Sequence, residues 1–339
     1  MRRFALAILL MLCSLVASAS GDGEKSSLLS RFAQWREQSM MKGVDTNYIC
    51  LPTKAWMVRT NALASNINID EQIVGDPSFD RLFYNINTGL CWKSNLSLSY
   101  RGLELGYGID FSKRYNRDIK LSMYSKGFGG EIHYQTYNGI QGTAQLDLTG
   151  GETTFYDDIP MEVSRIVVNG YYVFNKKTFS YPAAITKSFI QKKSAGSAIA
   201  GISLLYYDMT IGDCEASAVY DKAQRIKTFV GSAGAGYAYN FVPRNTSWLF
   251  HISALPMLSF PISKKAYNDL SMIASHNIKP SEHVIMPSVV ARTSVSYSIH
   301  DRIVLGANCI YNHFWSNPSG DMLLSTYSIT SQTFIAFRF

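Results

Sequence analysis

No stretch of this 339-residue sequence approaches the roughly 20 consecutive apolar residues that a spanning helix needs, which excludes a helical membrane protein. Charge of one sign is scarce as well. Charged residues make up 17% of the chain, and Lys plus Arg exceed Asp plus Glu by only 32 to 25. So mild and diffuse an excess argues against nucleic acid as a partner. The cysteines follow no zinc spacing, and the histidines lack metal-ligand spacing. Gly231, Gly234 and Gly236 are followed by no Lys-Ser or Lys-Thr, so they form no phosphate loop; inside a strand they ease curvature or make room for a neighbour. No metal or cofactor is expected.

What is present begins with an export signal. Arg2 and Arg3 precede an apolar run from Phe4 to Leu12, and Ala17-Ser18-Ala19 fits a small-residue cleavage site, which places cleavage after Ala19. Residues 20–45 then read as a periplasmic segment with one short amphipathic helix, on which Leu28, Phe32 and Trp35 share a face. Four cysteines follow, Cys50, Cys91, Cys214 and Cys309; an oxidising compartment permits bridges among them, and three pairings are formally possible.

Residues 46–339 read as one domain, and the chain as a whole is rich in Tyr (21), Phe (18) and Gly (24), yet its mean hydropathy is close to zero. Alternation of lipid-facing and lumen-facing residues produces that average. Period-two segments recur: Leu103, Leu105, Tyr107 and Ile109 against Glu104, Gly106, Gly108 and Asp110, and Val289, Ala291, Val295 and Tyr297 against Ser288, Arg292, Ser294 and Ser296. Strands are predicted near 56–64, 83–100, 103–111, 128–136, 163–174, 178–190, 196–209, 226–241, 246–260, 288–299, 303–312 and 323–339. The fold class is all-β, a transmembrane antiparallel β-barrel of about twelve strands, with ten to fourteen allowed. With the C-terminus periplasmic, the long connections at 65–81, 113–126, 211–225, 261–283 and 314–322 fall outside the cell. Two do not fit: 175–177 is short where a long loop is expected, and 138–161 is long where a short one is expected, unless it hides a further hairpin.

The last strand ends on an aromatic residue. Ile335, Phe337 and Phe339 share its apolar face, the pattern of an outer-membrane assembly signal read by the barrel-assembly machinery, and the location expected is the outer membrane. Outer-membrane lipid and lipopolysaccharide are the expected surroundings, with Lys113, Arg114, Arg117, Lys120, Lys264, Lys265 and Lys279 in loops placed to meet anionic headgroups.

Inside the barrel, parity directs Glu104, Asp110, Glu131, His133, Arg165, Arg292 and Arg338 to the lumen. Mixed signs pair and fill a lumen, whereas a charge-selective pore needs rings of one sign. Twelve strands lie between the filled eight and the open sixteen, so a narrow or closed barrel is predicted, structural, adhesive or narrowly transporting, and not an enzyme. The alternative is a lipid hydrolase. His251 and Ser253 share one strand face, as a catalytic histidine and serine do in outer-membrane phospholipases, with an amide or acid on an adjacent strand to orient the histidine.

The densest local signature runs Arg165-Ile166-Val167-Val168-Asn169-Gly170-Tyr171-Tyr172-Val173-Phe174-Asn175-Lys176-Lys177-Thr178-Phe179-Ser180-Tyr181, then Ala183-Ala184 and Gln191-Lys192-Lys193-Ser194-Ala195-Gly196-Ser197, with Asp45-Thr46-Asn47-Tyr48-Ile49 nearer the start. It resembles a family of exported, barrel-like proteins of Bacteroides-type bacteria known as domain of unknown function 4421. The resemblance implies location and fold but no activity. Physically, Asn175 to Thr178 suits a tight hairpin turn and Ala195 to Ser197 a reversal between neighbouring strands.

Overall fold

A computed structural model describes residues 28–76, 79–110, 116–148, 151–211, 225–244, 247–267, 275–278, 285–314 and 324–339. The leader, Lys113, Arg114, Cys214 and Lys279 lie outside the described residues. The first unit holds helix α1 (Leu28–Met41). Among its described side chains Arg36 and Met40 are buried and Trp35 is exposed; those of Leu28 and Phe32 lie outside the described ones.

The second unit, Val44–Phe339, is all-β. Its strands are β1 (Ile49–Cys50), β2 (Trp56–Asp76), β3 (Phe79–Asn87), β4 (Cys91–Tyr100), β5 (Leu103–Asp110), β6 (Arg117–Tyr124), β7 (Phe128–Leu148), β8 (Thr153–Val173), β9 (Ile190–Gln191), β10 (Ala195–Ile211), β11 (Arg225–Phe241), β12 (Trp248–Tyr267), β13 (Ser275–Ile278), β14 (Met286–Ile299), β15 (Ile303–Phe314) and β16 (Leu324–Arg338). One five-residue helix, α2 (Tyr181–Ile185), interrupts them.

Antiparallel pairing runs β2-β4-β5-β6-β7-β8-β10-β11-β12-β14-β15-β16 and returns to β2, a closed ring of twelve. Closure leaves no sheet edge, which is what a strand architecture requires in lipid. First and last strands meet through Trp56 N to Phe339 O at 3.3 Å and Phe339 N to Trp56 O at 3.0 Å. We call this the lower end.

The ring is not twelve strands all the way up. β2 pairs with β4 over residues 56–65 and with β3 over 68–76, and the other edge of β3 pairs directly with β7 over 142–148. The short hairpin β5–β6 therefore exists only in the lower half, and the upper half has ten strands. Gly89, at φ +61°, turns the chain between β3 and β4 where the girth changes.

The wall alternates as the sequence does. Along β12, His251, Ser253, Leu255, Met257 and Ser259 are buried, whereas Phe250, Ile252, Leu258 and Phe260 are exposed. Trp92, Leu96, Ile132, Ile202, Tyr237, Ile329, Ile335, Phe337 and Phe339 continue the exposed apolar belt. A belt on this scale is not left to water. Near the lower end it becomes aromatic, with Trp56 against Tyr100 at 4.8 Å and Trp248 against Tyr297 at 4.9 Å, the girdle of a transmembrane barrel.

The expected strand 83–100 is two strands, β3 and β4, and most of the expected loop 65–81 belongs to β2 and β3. Two further strand assignments from sequence need correction, and they cancel in the count. Residues 178–190 are not a strand, and β6 lies inside the expected loop 113–126. Removing the false strand also settles the two misfit connections. The turn between β7 and β8 lies at the upper end with no hidden hairpin, and 174–194 returns to the lower end. Asn175 to Thr178 does turn, with Phe179 N on Asn175 O at 3.1 Å, but it leads into the barrel interior rather than into a neighbouring strand. Ala195 to Ser197 opens β10 instead of reversing the chain. Lys120 is no loop residue: it lies on β6 and faces the lumen.

Gly234 and Gly236 let β11 approach β12 closely. A Cβ there would lie 2.1 Å from Pro256 O and 2.0 Å from Ala254 O, next to the proline that cannot donate to the ladder.

Candidate functional site

The interior is built in two tiers and a plug. The plug is the connection from β8 to β10. Ser180 caps α2 by accepting Ala183 N at 3.3 Å, Pro182 occupies the first turn where a missing N–H does no harm, and all of Tyr181–Ile185 is buried. Wall cations reach its last carbonyls: Arg59 Nη1 donates to Ile185 O at 3.2 Å and Arg338 Nη2 to Lys187 O at 2.9 Å. Lys187 turns back on the plug, donating to Ala184 O at 2.7 Å and to Ser296 Oγ at 3.1 Å. Burial among Arg59 and Arg338 lowers its ammonium to about 7.

The N-terminal half of the family signature is stitched to the plug. β1 pairs with β9, Asp45 N donates to Lys177 O at 2.9 Å and Lys192 N to Tyr48 O at 2.7 Å. Gln191 is the knot: its Nε2 donates to Thr178 O at 2.7 Å and to Lys193 O at 2.9 Å, and its Oε1 accepts Ser180 N at 2.9 Å.

His251 and Ser253 lie where the plug meets the wall. Asn240, on adjacent β11 and directly paired with His251, supplies the amide the sequence could not assign. Its Oδ1 lies 2.7 Å from His251 Nδ1, and His251 Nε2 lies 3.2 Å from Ser253 Oγ. The Asn240 amide donates to Ser180 O at 2.8 Å, so its oxygen faces the ring, Nδ1 carries the hydrogen, and Nε2 accepts from the serine. That is the order of a serine-activating triad, but it is covered. All three residues are buried, with the rings of Tyr181 at 5.4 Å and Phe179 at 6.5 Å from the imidazole.

Above the plug lies the charged tier. Glu131 is its hub, pairing with Arg292, with Lys120 at 3.6 Å, and accepting Asn169 Nδ2 at 3.0 Å and Tyr124 OH at 3.1 Å. Glu104 pairs with Arg59. Asp118 takes His133 Nε2 at 2.5 Å, Gln135 Nε2 at 3.1 Å and Lys93 at 3.7 Å. Arg165 stands over the Tyr207 ring at 5.7 Å. Asp110 is half-buried on β5, on the same parity as Glu104. Arg338 belongs to the lower end, with Asp301 at 3.3 Å. Arg59, Glu104, Lys120, Glu131, Arg165 and Arg292 line a cavity of about 80 Å³. Arg59, Lys93, Asp118 and the plug were not singled out from sequence; Pro182 just after Ser180 was the available sign that 178–190 is no strand.

Higher still the lumen is apolar. Ile67, Ile86, Tyr137, Leu146, Ile159, Met161, Leu205, Met209, Ile226 and Phe314 form one buried cluster. Below the plug, a hollow of about 950 Å³ opens at the lower end, lined by Lys187, Lys192, Lys193, Arg244 and Arg338 among others. Cys50, Cys91 and Cys309 are free thiols.

A family model described as Domain of unknown function (DUF4421) matches residues 43–339, nearly the whole chain. The chain belongs to this family. No curated protein matches it. Among solved structures, this DUF4421 protein is similar to the outer-membrane protease OmpT of Escherichia coli, at 8% identity over 85% of this chain and 97% of that one, with a TM-score of 0.42. It is also similar to the β domain of the Bordetella autotransporter BrkA, at 10% identity over 84% and 99%, TM-score 0.36, and to the translocator domain of NalP from Neisseria meningitidis, at 9% over 91% and 96%, TM-score 0.36. At such scores the likeness says nothing about activity.

Proposed function

We propose that this protein is an outer-membrane barrel, exported by a cleaved leader, that is closed at rest and serves a structural or adhesive role rather than that of an open pore. The observation that carries this is the double seal: a hydrogen-bonded plug fills the twelve-stranded half, and an apolar cluster fills the ten-stranded half. Charges in the middle tier are paired across the lumen instead of ringed in one sign, which fits a filled interior. The face of Ile335, Phe337 and Phe339 serves as the assembly signal for the barrel-assembly machinery, and the upper loops meet lipopolysaccharide. In planar bilayers the full-length protein is expected to give no steady conductance. Steady porin-like current would overturn the reading.

A second reading is favoured by one observation, the Asn240–His251–Ser253 chain. As a lipid hydrolase the barrel would have to withdraw its plug before Ser253 could meet an ester. Release of fatty acid from detergent-dispersed phospholipid, abolished by Ser253→Ala, is the result this reading requires; no release by the unmodified protein ends it.

A further inference from the structure

Four full cations line the mid-lumen cavity, Arg59, Lys120, Arg165 and Arg292, against two carboxylates, Glu104 and Glu131. Pairing absorbs three of the cations: Arg59 with Glu104, and Arg292 and Lys120 with Glu131. The remaining nearby carboxylate, Asp118, is engaged by Lys93 and His133. Arg165 is left over. It is only 6% exposed, its Nε has no hydrogen-bond partner, and among the described residues the groups it meets are neutral phenols, the Tyr207 ring at 5.7 Å and Tyr137.

A buried lysine can shed its proton to escape such a position, but a guanidinium cannot. Leaving a full charge unpaired in a low-dielectric interior is among the larger penalties a fold can carry, and a face-on aromatic ring offsets only about 0.5–2 kcal/mol of it. A counter-anion removes the penalty. We infer that the cavity beside Arg165 is a binding site for a small inorganic anion. Size narrows the ligand further: about 80 Å³ admits a halide or a compact oxyanion and excludes nucleotides, sugars and lipid headgroups. The plug below and the apolar cluster above make exchange slow, so the ion is acquired as the barrel folds. This holds whatever the barrel does in the membrane.

The test folds the full chain into detergent in bromide and locates bromide in crystals by anomalous scattering. The expected result is a peak within hydrogen-bonding reach of the Arg165 guanidinium that is lost when Arg165→Gln is prepared in the same way. In parallel, the urea midpoint of the unmodified protein should rise with bromide at constant ionic strength set by gluconate, which is too large for the cavity; the variant should show at least a tenfold weaker response. Bromide only on the outer surface, an adventitious ion only, would overturn the site, as would a midpoint indifferent to bromide. Should Arg165→Gln fail to fold, the two measurements on the unmodified protein decide.

Discussion

The lower and upper halves of the lumen solve the same problem with opposite chemistry. Barrel diameter grows with strand number. In the upper half, ten strands leave a bore that inward side chains such as Tyr137, Ile159, Met161 and Leu205 fill unaided. In the lower half, the β5–β6 hairpin widens the ring to twelve, and apolar side chains no longer fill it unaided. A folded-in segment and long charged residues occupy the difference. Girth, set by one short hairpin, thus decides which half must be polar: a plug brings backbone carbonyls with it, and these need donors such as Arg59, Arg338 and Asn240.

The comparison breaks most visibly at Glu131. Glu131→Ala leaves Arg292 and Lys120 without their carboxylate, a loss of about 3–5 kcal/mol for a broken buried pair, read as a lower urea midpoint and loss of the heat-modifiable gel shift. A much smaller loss from replacing Glu131 and Arg292 together would show that the pair itself contributes little and that the penalty is the orphaned charge; an equal loss would overturn that account. In the upper half, Ile159→Ala should cost about 2–5 kcal/mol through the cavity it leaves, with no change in protease access to the plug; new cleavage within 174–194 would show that the tiers are not separable. The smallest effect is one of pH. Lys187 belongs to the plug, and its folded value near 7 lies below the usual lysine range. The unfolded chain therefore binds the extra proton between these values, so its contribution to stability rises with pH through that window and is flat below it. Lys187→Met should lose that slope, so the variant and wild-type profiles diverge through the window; parallel pH profiles would refute the buried ammonium.

The wall was legible in the sequence because lipid on one side and lumen on the other impose period two, and β12 or β14 could be read residue by residue. The plug was not legible. Phe179, Tyr181 and Ile185 are apolar because they are buried inside the barrel, and hydropathy does not distinguish that burial from contact with lipid. β6 was missed for the converse reason: among its eight residues Asp118 and Lys120 face inward, and charges inside a lumen look like charges in a loop. Parity placed Glu104, Glu131 and Arg292 on the inner face, but which charges pair depends on register across strands far apart in sequence. The His251–Ser253 pair could be read on one strand; Asn240 required the register across the turn to β11.

The plug is gripped by Arg59 of β2 and Arg338 of β16, the two strands that form the closing seam. Those strands are far apart in the chain, and contacts of such separation form late in folding. The plug's full set of hydrogen bonds therefore exists only in the closed ring, because one donor comes from each side of the seam. Through Arg338 the last strand of the wall is fastened to the contents of the lumen as well as to the first strand.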